Sequence, residues 1–212
     1  MYQQNDLRAI SRRMGYVFLF LSALFLSACA NQQTRTDTDR RVLWESHRQK
    51  MAGINHWEFS GRMAVRLEEE AWSASLLWTQ VGDEFEIRII APLAQGTALI
   101  TGNGDKVSLK TSDNQEFTDS DVMQIMKQNL GWSIPVNDLT YWIRGITRSG
   151  STNNGQVIDN DGRLVSIQQD NWLVTYQRYD LSTEYALPSR IELTGSGARI
   201  RVVINRWDIN PS

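Results

Sequence analysis

From Trp57 onward the chain alternates apolar and polar residues with a period of two, and a long run of that period leaves room for little but a half-buried β-sheet. Trp57, Phe59, Met63, Val65 and Leu67 fall on one side of the first run, with Glu58, Ser60, Arg62, Ala64 and Arg66 on the other. Glu68-Glu69-Glu70 reads as the solvated tip of a hairpin rather than a metal site, since no other ligand-type residue is tied to it by spacing. The pattern returns in Trp72, Ala74, Leu76 and Trp78, turns at Gly82-Asp83, and continues in Phe85, Ile87 and Ile89. Further strands are predicted around Ala98 and Ile100, Val107 and Leu109, Phe117, Val157, Leu164 to Ile167, Trp172 to Tyr176, Pro188 to Leu193, and Ile200 to Ile204, with turn signals such as Asn160-Asp161-Gly162 and Gly195-Ser196-Gly197 between them. That makes about eleven strands, and a sheet so wide has to curl or close to manage its edges.

Two places break the pattern. Between Phe117 and Val157, Thr118-Asp119-Ser120-Asp121 offers capping residues for a helix with Val122, Ile125, Met126 and Leu130 on one stripe. A second helix, capped by Asn137, follows Ile134-Pro135-Val136 and carries Leu139, Trp142 and Ile143 before Gly145. Helices inserted into an otherwise all-strand chain are expected to cover one opening of the curved sheet. The other break is Ile89-Ile90-Ala91-Pro92-Leu93-Ala94, apolar throughout where a hairpin connection is ordinarily polar, with Pro92 excluding a central strand. Leu93 either tucks beneath the turn or forms an exposed apolar tip, and the pattern alone leaves both open.

The N-terminus is of another kind. Arg8, Arg12 and Arg13 precede an apolar run from Tyr16 to Leu26, too short to span a bilayer comfortably and followed by small residues, the layout of a secretory signal. It ends in Leu26-Ser27-Ala28-Cys29, and Cys29 is the chain's one cysteine, so no intrachain disulfide is open to it in an oxidising compartment. The quartet resembles the bacterial lipobox, in which the thiol takes a diacylglycerol, the signal is cut before it and the new amine is acylated. The expected domains are a signal peptide over 1–28, a lipidated tether over 29–39 and a single domain over 40–212. By resemblance to enteric lipoproteins, Ala30 after the cysteine points to the outer membrane, on its periplasmic face. At about 0.8 kcal/mol per buried methylene, two or more acyl chains hold a protein stably where one does not. In the region from Arg40 to Asn55, Leu43, His47, Met51 and Ile54 share a helical face; packing against the domain is preferred over lying on the membrane.

Function classes narrow by charge and by the residues present. Residues 1–28 hold Arg8, Arg12, Arg13 and Asp6, so their removal takes the formal charge from −2 to −4, which gives nucleic-acid binding no support. The two histidines, His47 and His56, lie in or beside the first helix, no Gly-x-Ser-x-Gly occurs, and no Cys/His spacing suits a metal. With eight tryptophans and a sheet greasy on one side, the chain reads as a binder and not an enzyme, without cofactors beyond the covalent diacylglycerol and N-acyl chain on Cys29.

The order of elements and several strings together resemble the LolB family of outer-membrane lipoproteins. They are Cys29, Phe59-x-Gly61-Arg62, Leu77-Trp78, Pro92-Leu93 with Gly96, Ile134-Pro135-Val136 with Leu139 and Trp142-Ile143-x-Gly145, and the Trp172 and Pro188 strands. The loop departs from the family's Asn-Pro-Leu-Gly by reading Ala91-Pro92-Leu93-Ala94-Gln95-Gly96. The resemblance implies a mainly β fold, an unclosed antiparallel barrel with a helical lid, whose concave face holds the acyl chains of other lipoproteins. It implies as partners a LolA-type periplasmic carrier, acylated lipoprotein cargo and outer-membrane lipid, with the chain acting as a monomer and without ATP. Pro92 and Leu93 become the membrane-insertion loop. Phe59, Met63, Trp78, Phe85, Trp142 and Trp172, chosen by alternation and helix face, are the candidate acyl-chain residues. The alternatives are a lipocalin-like lipid-binding lipoprotein and a structural assembly lipoprotein.

Overall fold

The computed structural model describes residues 36–92, 96–103, 106–119, 122–130, 133–148 and 153–210. Cys29, the segment before it, most of the expected tether and Leu93 lie outside them.

The chain builds one antiparallel sheet from both ends inward. A helix, α1 (Asp37–Ala52), leads into β1 (His56–Arg66), and successive hairpins add β2 (Ala71–Val81), β3 (Glu84–Ile90), β4 (Thr97–Gly102), β5 (Val107–Thr111) and β6 (Glu116–Asp119). After two helices, α2 (Val122–Leu130) and α3 (Val136–Trp142), come β7 (Asn153–Ile158), β8 (Leu164–Gln169), β9 (Trp172–Asp180), β10 (Leu187–Gly195) and β11 (Ala198–Ile209). The order across the sheet is β6-β5-β4-β3-β2-β1-β11-β10-β9-β8-β7, so the first and last strands pair at its centre and β6 and β7 are its two edges. The chain has to travel from one edge to the other between β6 and β7, and α2 and α3 are that crossing. This is why the helices cover the concave side and why the barrel stays unclosed.

The alternation read from the sequence sets the faces. Trp57, Phe59, Met63 and Val65 of β1, Ala74, Leu76 and Trp78 of β2, and Ile200, Val202 and Ile204 of β11 are all buried. Gly61 shares the inward side of β1, and it is there for a reason of space. The β1–β11 register slips between Ser60, opposite Arg206, and Gly61, opposite Ile204, a bulge that leaves Asn205 unpaired. A Cβ on Gly61 would sit 2.3 Å from the Val203 carbonyl oxygen. The bulge lets β11 carry Ile204 and then Trp207 on one side, with Trp207 facing Phe59 across the pair at 5.1 Å between ring centroids.

Two helix starts differ from the expectation. Thr118 and Asp119 belong to β6, and α2 begins only at Val122. Asn137 does not cap α3: the helix starts two residues earlier, with Pro135 at the N-cap and its carbonyl accepting from the Asp138 and Leu139 N–H groups. Proline suits a place where no N–H is required. The end of α3 follows the glycine rule: Gly145, at φ +75°, lets its N–H reach Trp142 C=O and lets the Ile146 N–H reach Tyr141 C=O. A side chain at Gly145 would also meet Pro188 at 3.1 Å. Helix α1 starts at Asp37 rather than at Arg40, and it buries Trp44 and Met51, with Leu43 and His47 half-buried, so the packed reading of this helix is the one seen. Its partner includes the β7–β8 turn, where Gly162 lies so close to Leu43 that a Cβ would come within 2.6 Å of that side chain.

Candidate functional site

Among the described residues, the cavity between sheet and lid is lined by apolar side chains. Met63, Leu76, Trp78, Ile87, Ile89, Ile100, Ile200 and Val202 supply the sheet side, and Met126, Ile134, Val136 and Leu139 the helical side. Four of these belong to α2, to α3 or to the short link between them, because a helix crossing a concave apolar sheet can stay there only by presenting an apolar stripe. The remaining cavity is about 30 Å³, roughly the volume share of one water in the liquid, and with no polar group on its walls it stays dry. As it stands it holds no acyl chain. An occupant has to lift α2 and α3 or push side chains aside.

One end of this cavity runs into an aromatic cluster. Trp78 lies 5.4 Å from Trp57 and 6.0 Å from Phe59, and both of those contact Trp207. Two of the three indole N–H groups have partners: Trp78 Nε1 donates to Gln80 Oε1 at 3.1 Å, and Trp207 Nε1 donates to Pro188 C=O at 2.8 Å. Phe85 borders a wider, partly polar pocket of about 430 Å³, together with Trp57, Gln80 and residues of α3. A second aromatic group sits on the other half of the sheet, where Trp142 packs on Trp172 at 6.4 Å. Trp142 Nε1 donates to the buried Gln169 Oε1 at 2.7 Å, and Tyr176 Oη donates to Trp142 C=O at 3.0 Å. Burial pushes the Tyr176 hydroxyl well above its ordinary value, so it is a fixed donor.

The candidate residues therefore divide. Met63 and Trp78 meet in the apolar cavity. Phe59 stands behind Trp78 in the aromatic cluster and Phe85 at the neighbouring pocket, while Trp142 and Trp172 anchor the lid to β8 and β9 away from the cavity walls. Sequence reasoning passed over the aliphatic lining, Ile87, Ile89, Ile100 and Val202 among it, although these positions carry the same period-two signal; large aromatics drew attention that the cavity does not give them. Pro92 is exposed, and the neck of its loop is closed by the Ala91 N–H donating to Gly96 C=O at 3.0 Å, with Gly96 at φ +127°.

The lid is tied down by polar groups at one end. Arg144, buried just past α3, donates from Nη1 to Met51 C=O at 3.1 Å and Ile54 C=O at 2.9 Å, and from Nε to Thr140 C=O at 3.0 Å. Its cation thus closes the C-terminal end of α1, where helix carbonyls favour positive charge. Burial pulls its pKa below the ordinary arginine value. Asp138 of α3 is buried and bonded to Arg148.

A sequence model described as "Outer membrane lipoprotein LolB" matches residues 55–207. The chain belongs to the LolB family. Among its relatives, the outer-membrane lipoprotein LolB of Nitrosococcus oceani is 32% identical over 192 residues, covering 90% of this chain and 96% of that protein. The LolB of Stutzerimonas stutzeri is 33% identical over 188 residues, covering 87% and 91%. A LolA superfamily protein from Nitrosomonas europaea has the same fold at a TM-score of 0.53 and 11% identity, over 80% of this chain and 94% of that one. The match to the family begins after α1, so the LolB signature lies in the sheet and its lid.

Proposed function

We propose that this LolB-family chain receives acylated lipoproteins from a soluble periplasmic carrier of the LolA type and places them in the outer membrane, to which its own lipidated Cys29 holds it. The observation that carries the reading is the apolar lining of the cavity between the lid and the concave sheet, in a chain of this family. An acyl chain in water costs about 0.8 kcal/mol per exposed methylene, so cargo needs an apolar shelter at every step of the handover. A shelter that closes on itself when empty keeps its own apolar walls out of water between deliveries, and acyl chains take the place of the lid's side chains when cargo arrives. No ATP enters such an exchange; the direction follows from which shelter holds the chains better. The role is binding and transfer, without a catalysed reaction, and the chain works as a monomer.

The test is photo-crosslinking with a carrier loaded with acylated lipoprotein. A photoreactive residue at Met63 or at Leu139 is expected to capture the cargo's acyl chains, and one at Trp172 is not. Capture at Trp172 with none at the other two would place the chains elsewhere on the sheet and overturn the assignment of the cavity.

A further inference from the structure

The pocket of about 430 Å³ beside the aromatic cluster contains something that acylated cargo does not explain. It lies at the end of the sheet away from the Pro92 loop, between the end of α1, the Gly82-Asp83 turn and α3, with Trp57 and Phe85 among its walls. Arg144 is one of those walls. All three of its hydrogen bonds among the described residues go to backbone carbonyls, its guanidinium lies over the Tyr141 ring at 5.3 Å, and it forms no ion pair among those residues. A guanidinium this buried is ordinarily set against an anion, because a buried charge without a counter-charge is costly. Arg148, on the same wall, is already held by Asp138 and by Asp170, the latter at 3.6 Å. Asp83 also borders the pocket, but in an exposed turn where water screens it.

We propose that this pocket takes the phosphate of a glycerophospholipid whose acyl chains run past Trp57 and Trp78 into the apolar cavity. The inference rests on the reading that the cavity accepts acyl chains. The acylated end of a lipoprotein offers ester, amide and thioether groups and no negative charge, so it gives the Arg144 cation no counter-charge, whereas a phosphate ester gives it one through charge-assisted hydrogen bonds. Trp57 borders the pocket and its ring packs 5.4 Å from that of Trp78, which borders the cavity, so packed aromatic rings lie between the two and an entering acyl chain has to part them. A phospholipid held this way is the occupant between deliveries, displaced when cargo enters.

The test uses the full chain made soluble by Cys29→Ala behind an ordinary signal, stripped of lipid, with binding followed by tryptophan fluorescence. Four probes are compared below their aggregation limits: dihexanoylphosphatidate, dihexanoylglycerol with the same chains, inorganic phosphate and a neutral triacylated lipopeptide. The phosphatidate is expected to bind at least tenfold more tightly than the diglyceride, to be displaced by the lipopeptide, and to lose its advantage in Arg144→Gln while Arg144→Lys keeps part of it. The wild-type ratio decides even where Arg144→Gln fails to fold. Equal affinity for the two short lipids, with the lipopeptide still bound, overturns the phosphate site and leaves the acyl reading standing. Inorganic phosphate binding as tightly as the phosphatidate overturns the lipid assignment in favour of a free-anion site. No binding by any acylated probe overturns both.

Discussion

At the scale of single residues, positions that hold the sheet stand apart from one that would meet the membrane in the proposed role. Gly61 is of the first kind. With the Val203 carbonyl 2.3 Å from where a Cβ would stand, Gly61→Ala forces the bulge open, and overpacking of this sort costs about 1–3 kcal/mol. The melting temperature is expected to fall by about 2–4 °C for each of those kcal/mol, whereas Gly155→Ala, where a Cβ meets nothing within 4 Å, stays within about 0.5 kcal/mol of the parent. Equal losses in the two variants would mean that the close approach carries no strain. Leu93 is of the second kind only in the proposed role, where it would be the membrane-insertion residue. Placing one leucine in an apolar medium contributes about 1.5 to 3 kcal/mol, too little to anchor a protein and enough to change a local release rate by about one to two powers of ten. Leu93→Glu is therefore expected to accept cargo from the carrier normally and to deliver it to liposomes about 10- to 100-fold more slowly. Delivery at the parent rate would remove the loop from the release step.

At the scale of elements, α1 is held by burial of Trp44 and Met51, by Arg144 at its C-terminal end, and by the β7–β8 turn against Leu43. His47 sits in this contact with its Nε2 buried and unbonded, and desolvation, reinforced by the Arg163 cation, lowers its pKa from 6.5. Asp159 acts in the opposite sense and Lys50 in the same one, both more weakly. Because the folded state resists protonation, the unfolded chain binds the extra proton as pH falls below 6.5, so the contribution is complete above that value and lost progressively beneath it. The protection of α1 amides against hydrogen exchange, measured relative to the intrinsic rate at each pH, is expected to fall between pH 7.5 and 5.5, and His47→Gln to flatten that dependence; an unchanged slope in the variant would assign it to another group. The helix also shows what a sequence can and cannot give. Strand faces were readable because a period of two puts every second side chain on the buried side, and the eleven-strand antiparallel sheet follows from that and the turn residues. Trp44, two turns before Met51, lies on the same face and is buried with it, a position the stripe of Leu43, His47 and Met51 already implied. The Thr118 and Asp119 cap signal was real chemistry overridden by pairing with Ser108 and Val107. Alternation says which face a residue occupies, but not how far along a curved sheet it stands, and so Trp142 and Trp172 could not be told apart from Met63 and Trp78.

At the scale of the whole molecule, the proposed role has the empty protein and its acyl-loaded form compete for the same apolar walls. Leu139 of α3 fills space that an acyl chain needs, so shortening it acts on the two states unequally. In the empty state Leu139→Ala leaves a hole beneath the lid, and substitutions of this kind cost about 2–5 kcal/mol. In the loaded state methylenes of the ligand occupy that hole, and less is lost. The difference appears as affinity, since a ligand gains whatever the empty state has been deprived of. Leu139→Ala is therefore expected to melt lower yet bind a triacylated lipopeptide about tenfold more tightly, a shift of about 1.4 kcal/mol. Leu164→Ala is the control: Leu164 is fully buried and is not among the residues lining the cavity, so its truncation lowers stability and leaves affinity where it was. Should Leu139→Ala weaken lipopeptide binding in step with stability, lid and acyl chain do not exchange places, and the closed apolar interior is simply a core.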